Sequence, residues 1–469
     1  MERKNVWDKY PENKREDVFQ FAEKYRQFIS GCKTERECVE KFAKMAQNAG
    51  YSNLKDIIRA GESLKPGDKV YAVNMGKSMA MYIVGEQPIE QGMNILGAHI
   101  DSPRLDLKQI PLYEDTQLAM LDTHYYGGVK KYQWVTLPLA LHGVFVKKDG
   151  TALPVSIGDK PGDPVFGVSD LLIHLAGDQM EKKAGKVVEG ENLDILIGSI
   201  PAPKNDDKKE KDEQVKDRVK ANILSILARE YQIEEDDFVS AEIEVVPAGE
   251  AKDYGLDRSM IMGYGHDDRV CAYPSFMAML GVEGVPKRTS VCLLVDKEEI
   301  GSVGATGMES RFFENMTAEL LNAAGQYSEL ALRRALANSK MLSSDVSAAF
   351  DPNYPEVSEK KNAAYFGNGL VFNKYTGSRG KSGSNDANAE YMAHLRDLFD
   401  RNDVAYQTSE LGKVDQGGGG TIAYILANFG MEVIDSGVAV MNMHAPWEII
   451  SKADLYEAYR GYKVFLLEA

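Results

Sequence analysis

The sequence is poor in cysteine and in long apolar runs. Its four cysteines are spread over 469 residues without a CxxC pair, which argues against a disulfide framework and a zinc knuckle and favours reduced, buried thiols. Nowhere do about eighteen apolar residues follow one another, so no membrane span is predicted. Residues 1–21 are rich in charge and lack the apolar stretch of a signal peptide, so we expect a cytoplasmic protein.

Positive charge is also in short supply. Lys and Arg number 55 against 71 Asp and Glu, which gives a formal net charge of −16. Nucleic acids and anionic membrane surfaces are bound through clustered positive charge. We therefore expect neither as a partner of this protein.

The chain is long, with 469 residues, and 43% of them are hydrophobic. A chain of this length is expected to form more than one folded unit. Helical spacing over 17–49 and strand-like alternation over 70–83 indicate an α/β protein, and short apolar runs at 94–100, 290–296 and 432–440 predict buried strands. From residue 105 onwards the sequence becomes β-rich and glycine-punctuated, with a charged loop at 204–220. We predict a mixed-sheet α/β domain made of 1–104 and 249–469, interrupted by a β-rich inserted domain at 105–248.

Imidazole and carboxylate side chains are concentrated at the ends of apolar runs and in short acidic motifs. These side chains are His99, Asp101, Asp267, Glu298, Glu299, Asp345 and His444. Histidine and carboxylate together form the mixed N/O ligand set that divalent zinc, manganese or cobalt prefers, and one bridging carboxylate can join two such ions. The pattern predicts a two-metal hydrolytic site.

Two local geometries refine this prediction. Side chains alternate along a strand, so Asp101 lies on the same side as His99 and can accept the imidazole N–H that fixes the ligand tautomer. Glu298 and Glu299 are adjacent and point in different directions, which lets one bind metal while the other transfers a proton. The alternative for this glutamate pair is an exposed helix start, where the helix dipole favours acidic residues.

The motifs HIDSPRL, EEIGSVGATG, SSDVSAAFDPNYPE, GGGTIAYIL and MHAPWEI occur in this order, with an Asp pair at 267–268 between the first two. In these motifs the chain resembles the aspartyl aminopeptidase/aminopeptidase I family of dinuclear zinc metallopeptidases. The resemblance implies two divalent metal ions, with zinc as the first choice. It assigns His99, Asp267 and Asp345 to one ion and Asp267, Glu299 and His444 to the other, Glu298 as general base and Asp101 as the catalytic carboxylate behind His99.

The resemblance also implies an architecture and an assembly. The family fold is a metallopeptidase domain interrupted by a dimerisation domain, and its members assemble from dimers into tetrahedral homododecamers. His174, in the segment LLIHLAG, is implied to reach the active site of a neighbouring subunit and contact substrate. A packing histidine on a helix face is the alternative.

The function predicted on this basis is a metal-dependent aminopeptidase that removes the N-terminal residue of peptides. A bridging water activated by the metal pair would attack the peptide bond, and Glu298 would accept its proton. A carboxypeptidase or deacylase with the same metal core, or a non-catalytic assembly module of the same fold, remains an alternative.

Acidic N-terminal residues are not predicted to be preferred. Family members that act on them carry a histidine three residues after the metal-binding Asp, where this chain has Ala348, and the expected HPNY is DPNY here, with Asp351. Lys374 could supply a cation, but it is shifted by one residue, and such a shift moves a strand side chain to the opposite face.

Overall fold

The computed structural model describes residues 4–203 and 217–469. The chain folds into two compact units. One comprises Met1–Ser102, Ala251–Met443 and Trp447–Ala469, and the other comprises Pro103–Glu250 and His444–Pro446. The predicted charged loop at 204–220 lies for the most part outside the described residues.

In chain order, the strands of the described residues are β1 (Ser52–Asn53), β2 (Lys69–Asn74), β3 (Ser78–Ile83), β4 (Met93–His99), β5 (Arg104–Asp115), β6 (Leu118–Tyr126), β7 (Leu139–Val146), β8 (Ala152–Ile157), β9 (Gly167–Val168), β10 (Ile195–Gly198), β11 (Ala241–Pro247), β12 (Lys252–Tyr254), β13 (Met260–Gly263), β14 (Thr289–Val295), β15 (Lys340–Ser343), β16 (Ser347–Ala348), β17 (Leu370–Asn373), β18 (Tyr406–Thr408), β19 (Glu432–Gly437), β20 (Ala439–Met441) and β21 (Glu448–Ser451). The α-helices are α1 (Glu12–Gly31), α2 (Glu35–Asn48), α3 (Leu54–Ala60), α4 (Gly177–Met180), α5 (Arg218–Ile226), α6 (His266–Leu280), α7 (Phe312–Ala323), α8 (Glu329–Ala337), α9 (Ala389–Arg401), α10 (Ala423–Ala427) and α11 (Lys452–Glu468).

The first unit is built on a nine-stranded mixed sheet in the order β1-β2-β3-β14-β4-β15-β19-β17-β18. Alternate residues of β4 enter different apolar cores: Leu96 packs with residues of α1, α2, α6, α9 and α11, and Ile95 packs with residues of α3, α7, α8 and α10. Both faces of the sheet are therefore covered by helices, which explains why β4 is buried throughout and has an apolar sequence. The predicted α/β class is confirmed.

Two smaller features complete the fold. A five-stranded sheet, β12-β13-β21-β20-β16, belongs to the first unit, and the second unit contains a seven-stranded antiparallel sheet, β8-β7-β11-β5-β6-β10-β9.

All four cysteines are free and buried, as predicted. Within 4–203 and 217–469, no helix is long and apolar enough to cross a membrane.

The prediction of one continuous strand over 432–440 is wrong. β19 and β20 are separated at Val438 and belong to different sheets. The break follows Gly437, whose backbone passes close to that of Asp345, a predicted metal ligand. A Cβ atom on Gly437 would be 1.8 Å from the carbonyl oxygen of Asp345. Only glycine permits this close approach of two backbones.

Candidate metal centre

Three neighbouring strands of the large sheet bring predicted site residues to one edge. β4 lies between β14 and β15 and pairs parallel with both. β4 ends at His99, Glu298 follows β14, and Asp345 follows β15. Because the carboxyl ends of parallel strands meet at the same edge of a sheet, residues far apart in sequence meet there.

His99 is at the centre of this group and is fully buried. Its Nε2 atom lies 3.1 Å from Asp267 Oδ1, 3.9 Å from Glu298 Oε2 and 3.9 Å from Asp345 Oδ1. Burial alone would lower the pKa of His99, but the hydrogen bonds and charges of the surrounding carboxylates outweigh burial and raise this pKa well above its ordinary value. The imidazole therefore faces a concentration of negative charge.

The side chains fit a divalent cation. Two groups each place their potential ligand atoms within 4.8 Å of one another: His99 with Asp267 and Glu299, and His99 with Glu298 and Asp345. Burial, followed by the charges of Glu298 and other neighbouring carboxylates, raises the pKa of Asp345 well above its ordinary value, so this cluster opposes full ionisation without a compensating cation. One imidazole and several carboxylates form a donor set that zinc accepts.

Asp101 connects two parts of the cluster. Its Oδ1 lies 3.2 Å from His99 Nδ1, so the contact predicted from the sequence is present. The carbonyl oxygen of Asp101 is 3.1 Å from the same nitrogen, and since both oxygens are acceptors, Nδ1 carries the proton. The two carboxylate oxygens also accept the backbone N–H groups of Glu298 and Glu299, each at 3.2 Å. One buried carboxylate thus orients the imidazole and the turn that carries both glutamates.

Two residues that the sequence did not single out contact Asp267. The backbone N–H of Asp267 donates to Glu448 Oε2 at 3.1 Å, and the hydroxyl of Ser102 donates to the carbonyl oxygen of Asp267 at 2.6 Å. Both residues lie in motifs that the sequence highlighted, MHAPWEI and HIDSPRL. The motifs do not indicate these contacts because the partners are 181 and 165 residues apart.

The two groups of potential ligands found among the described residues do not include His444. His444 has a left-handed backbone (φ 65°), and its Nδ1 lies 2.9 Å from the carbonyl oxygen of Gly128. A carbonyl oxygen can only accept, so Nδ1 carries the proton, and in the neutral imidazole Nε2 has the lone pair.

His174 lies in a short 3-10 helix, Ile173–Leu175, in the second unit. Its neighbours are unusually exposed for apolar residues: Leu171 is 53%, Leu172 55%, Ile173 69% and Leu175 69% exposed. His174 itself is exposed as well.

Three residues bear on the preference for the substrate side chain. Ala348 ends β16 and is exposed. Asp351 accepts the backbone N–H of Asn353 at 2.8 Å, so its carboxylate caps a turn. Lys374 follows β17 and forms an ion pair with Asp386, which also pairs with Lys381. The ammonium group of Lys374 is therefore already engaged by a carboxylate.

A helix-covered α/β sheet with imidazole and carboxylates gathered at its strand ends defines a metal-dependent hydrolase. The family model "Aminopeptidase I zinc metalloprotease (M18)" matches residues 28–466. The chain is 64% identical to a probable M18 family aminopeptidase 1 of Clostridium acetobutylicum, over 99% of this chain and 98% of that protein. The chain belongs to the M18 family: it is an aminopeptidase and a zinc metalloprotease.

Solved structures agree with this assignment. The crystal structure of aminopeptidase I from Clostridium acetobutylicum is 62% identical, with a TM-score of 0.91 and 99% of both chains covered. That of an M18 family aminopeptidase from Thermotoga maritima is 44% identical, with a TM-score of 0.93 and 100% of both chains covered. The recognition of the family from its motifs is confirmed.

Proposed function

We propose that the protein hydrolyses the N-terminal peptide bond of peptides with two divalent metal ions per subunit, zinc in the first instance, held at the strand-end cluster. The observation that carries this proposal is the convergence of His99 with four carboxylates from three separate segments of the chain. When bound, such ions polarise the scissile carbonyl and lower the pKa of a water molecule. We also propose the cytoplasm as its compartment, in keeping with four free cysteines.

The proposed ligands are those implied by the family motifs. His99, Asp267 and Asp345 would hold one ion, and Asp267, Glu299 and His444 the other. Both histidines have Nδ1 against an oxygen acceptor, which leaves Nε2 as the ligand atom in each. Both adjacent glutamates are potential ligands, Glu299 together with His99 and Asp267 and Glu298 together with His99 and Asp345. The division of tasks between them follows the family motifs and is part of the proposal.

Glu298 is the proposed general base. Its backbone N–H is fixed by Asp101, and its side chain is 15% exposed, so the carboxylate is held in place but accessible to water. It would accept a proton from the attacking water and deliver it to the leaving amine. Asp101 would support this step by fixing the turn and the tautomer of His99.

The direct test compares amino-acyl reporters with a free and with an acetylated N-terminus. We expect hydrolysis of the free reporter only, because an aminopeptidase recognises the terminal amine. Cleavage of the acetylated reporter at a similar rate would instead indicate a deacylase or an endopeptidase with the same metal core.

We further propose that the second unit mediates self-association, in dimers that build a homododecamer. The exposed apolar segment around His174, Leu171–Leu175, supports this because contiguous exposed apolar residues mark interaction surfaces. A solved structure of yeast mApe1 is that of a dodecamer; it is 20% identical to this chain and shares its fold at a TM-score of 0.73.

If His174 completes the site of a neighbouring subunit, two inactive variants should restore each other. Glu298→Gln lacks the base and His174→Ala lacks the substrate contact, so a mixed oligomer contains some sites with both groups intact. We expect part of the activity to return when the variants are mixed under conditions of subunit exchange. Each variant mixed with itself is the control. No recovery despite demonstrated exchange would place His174 outside a neighbouring site.

The substrate side chain is the next test. Burying a carboxylate without a cation or strong donor is costly, and neither Ala348 nor the engaged Lys374 offers one. We therefore expect Leu, Ala, Lys and Arg reporters to have kcat/KM values at least equal to those of Asp and Glu reporters. Ala348→His should shift the ratio modestly towards acidic reporters, with Ala348→Gln as the uncharged control. A clear acidic preference in the unmodified enzyme would contradict this view of the pocket.

A further inference from the structure

The backbone of Asp267 departs from helical geometry although it falls within α6. Its φ and ψ are −76° and 107°, so the α-helical hydrogen-bond pattern does not set the direction of this residue. Its two backbone polar groups are held by side chains instead: Glu448 accepts the N–H, and Ser102 donates to the carbonyl oxygen. These two contacts therefore help to set the direction of the Asp267 carboxylate, which also contacts His99 Nε2.

Glu448 is suited to this task by its position. It begins β21, where it lies opposite Gly263 of β13, the strand that leads into α6. Its side chain is buried, with 1% of the residue exposed, so the carboxylate is confined to one place. A charged acceptor forms a stronger hydrogen bond to a backbone N–H than a neutral one does.

We propose that Glu448 is a positioning residue that sets the backbone of Asp267, and so directs the Asp267 carboxylate to both ions. This role rests on the proposed function, in which Asp267 is the shared ligand. Glu448 acts in two separable ways. Its hydrogen bond fixes geometry, and its negative charge close to the cluster favours cation binding.

A second buried glutamate provides a matched control. Glu457 is also 1% exposed and accepts a backbone N–H, that of Ala405, at 2.7 Å. Its other partners are Tyr10 and Arg460, which are not among the proposed site residues. Loss of Glu457 therefore measures the cost of removing a buried, hydrogen-bonded glutamate without touching Asp267.

The experiment measures the affinity of the metal-stripped full-length protein for Zn²⁺, by competition with a chelating dye. Outer contacts of this kind typically change metal affinity by about 10- to 100-fold. We expect Glu448→Leu to weaken zinc binding by about that factor. Glu448→Gln keeps an acceptor but loses the charge, so it should fall between Glu448→Leu and the unmodified protein. At saturating zinc, KM for the free reporter should stay unchanged.

Glu457→Leu should lower the unfolding temperature without changing zinc affinity. Folded Glu448→Leu with the zinc affinity of the unmodified protein would overturn the proposal. If Glu448→Leu does not fold, Glu448→Gln removes the charge and Ser102→Ala removes the other side-chain contact to the backbone of Asp267. Normal zinc affinity in both variants would overturn the proposal equally. Asp267→Asn distinguishes failure of the proposed ligand set from failure of the positioning role. Normal zinc binding in this variant contradicts the ligand set and with it the role of Glu448. Weakened binding in Asp267→Asn with normal binding in the Glu448 variants contradicts the positioning role alone.

Discussion

Removal of divalent metal is expected to abolish aminopeptidase activity, and added Zn²⁺ is expected to restore it. The strand-end cluster gathers carboxylates around His99 in a buried setting, where they need a cation to be ionised together. Activity towards a free amino-acyl reporter and metal content are measured before chelation, after it and after zinc is returned.

The same series tests the number of ions. Recovery that is complete only at two equivalents of zinc per subunit supports the proposed pair, whereas full recovery at one equivalent would limit the site to a single ion. Full activity in a protein shown to contain no metal would contradict the mechanism altogether. A protein carried through the same dialysis without chelator is the control.

Replacing Glu298 by glutamine is expected to remove most of the activity while both ions stay bound. General-base assistance is typically worth about 10²- to 10⁴-fold in rate, and an amide of the same shape cannot accept the proton. Because Glu299 is a proposed ligand, whereas Glu298 is the proposed base, Glu299→Gln should instead lower zinc affinity.

The two neighbouring variants are controls for each other, since each changes one carboxylate to an amide in the same short turn. Both are assayed for kcat, for zinc content and for unfolding temperature. If Glu298→Gln loses zinc while Glu299→Gln keeps it and is nearly inactive, the two assignments are reversed.

The sequence was most informative where chemistry is carried by short stretches of chain. Apolar runs that end in polar residues indicated β4 and β14 and the placement of His99 and Glu298, because a buried strand must be apolar and its end is where side chains reach a ligand. The contact between His99 and Asp101 could also be predicted from the sequence, because it joins residues only two positions apart.

The sequence was least informative about contacts between distant segments. Nothing in the order of residues indicates that Glu448 accepts the N–H of Asp267 or that Lys374 is paired with Asp386, because these contacts arise only after the sheets and loops are packed. The break between β19 and β20 could not be predicted from the sequence for a similar reason. The run over 432–440 has the composition of one strand, and only the approach of Gly437 to Asp345 shows why it changes sheet.

The wide spacing of the site residues has a consequence for the stability of the protein. His99 and Asp267, two proposed ligands of the same ion, are 168 residues apart. Coordination of one ion by such distant segments closes long loops, and the loop-closure entropy that it removes from the unfolded chain grows with their length. In a protein whose four cysteines are all free, coordination by the proposed ligands would thus serve as the cross-link that a disulfide provides elsewhere.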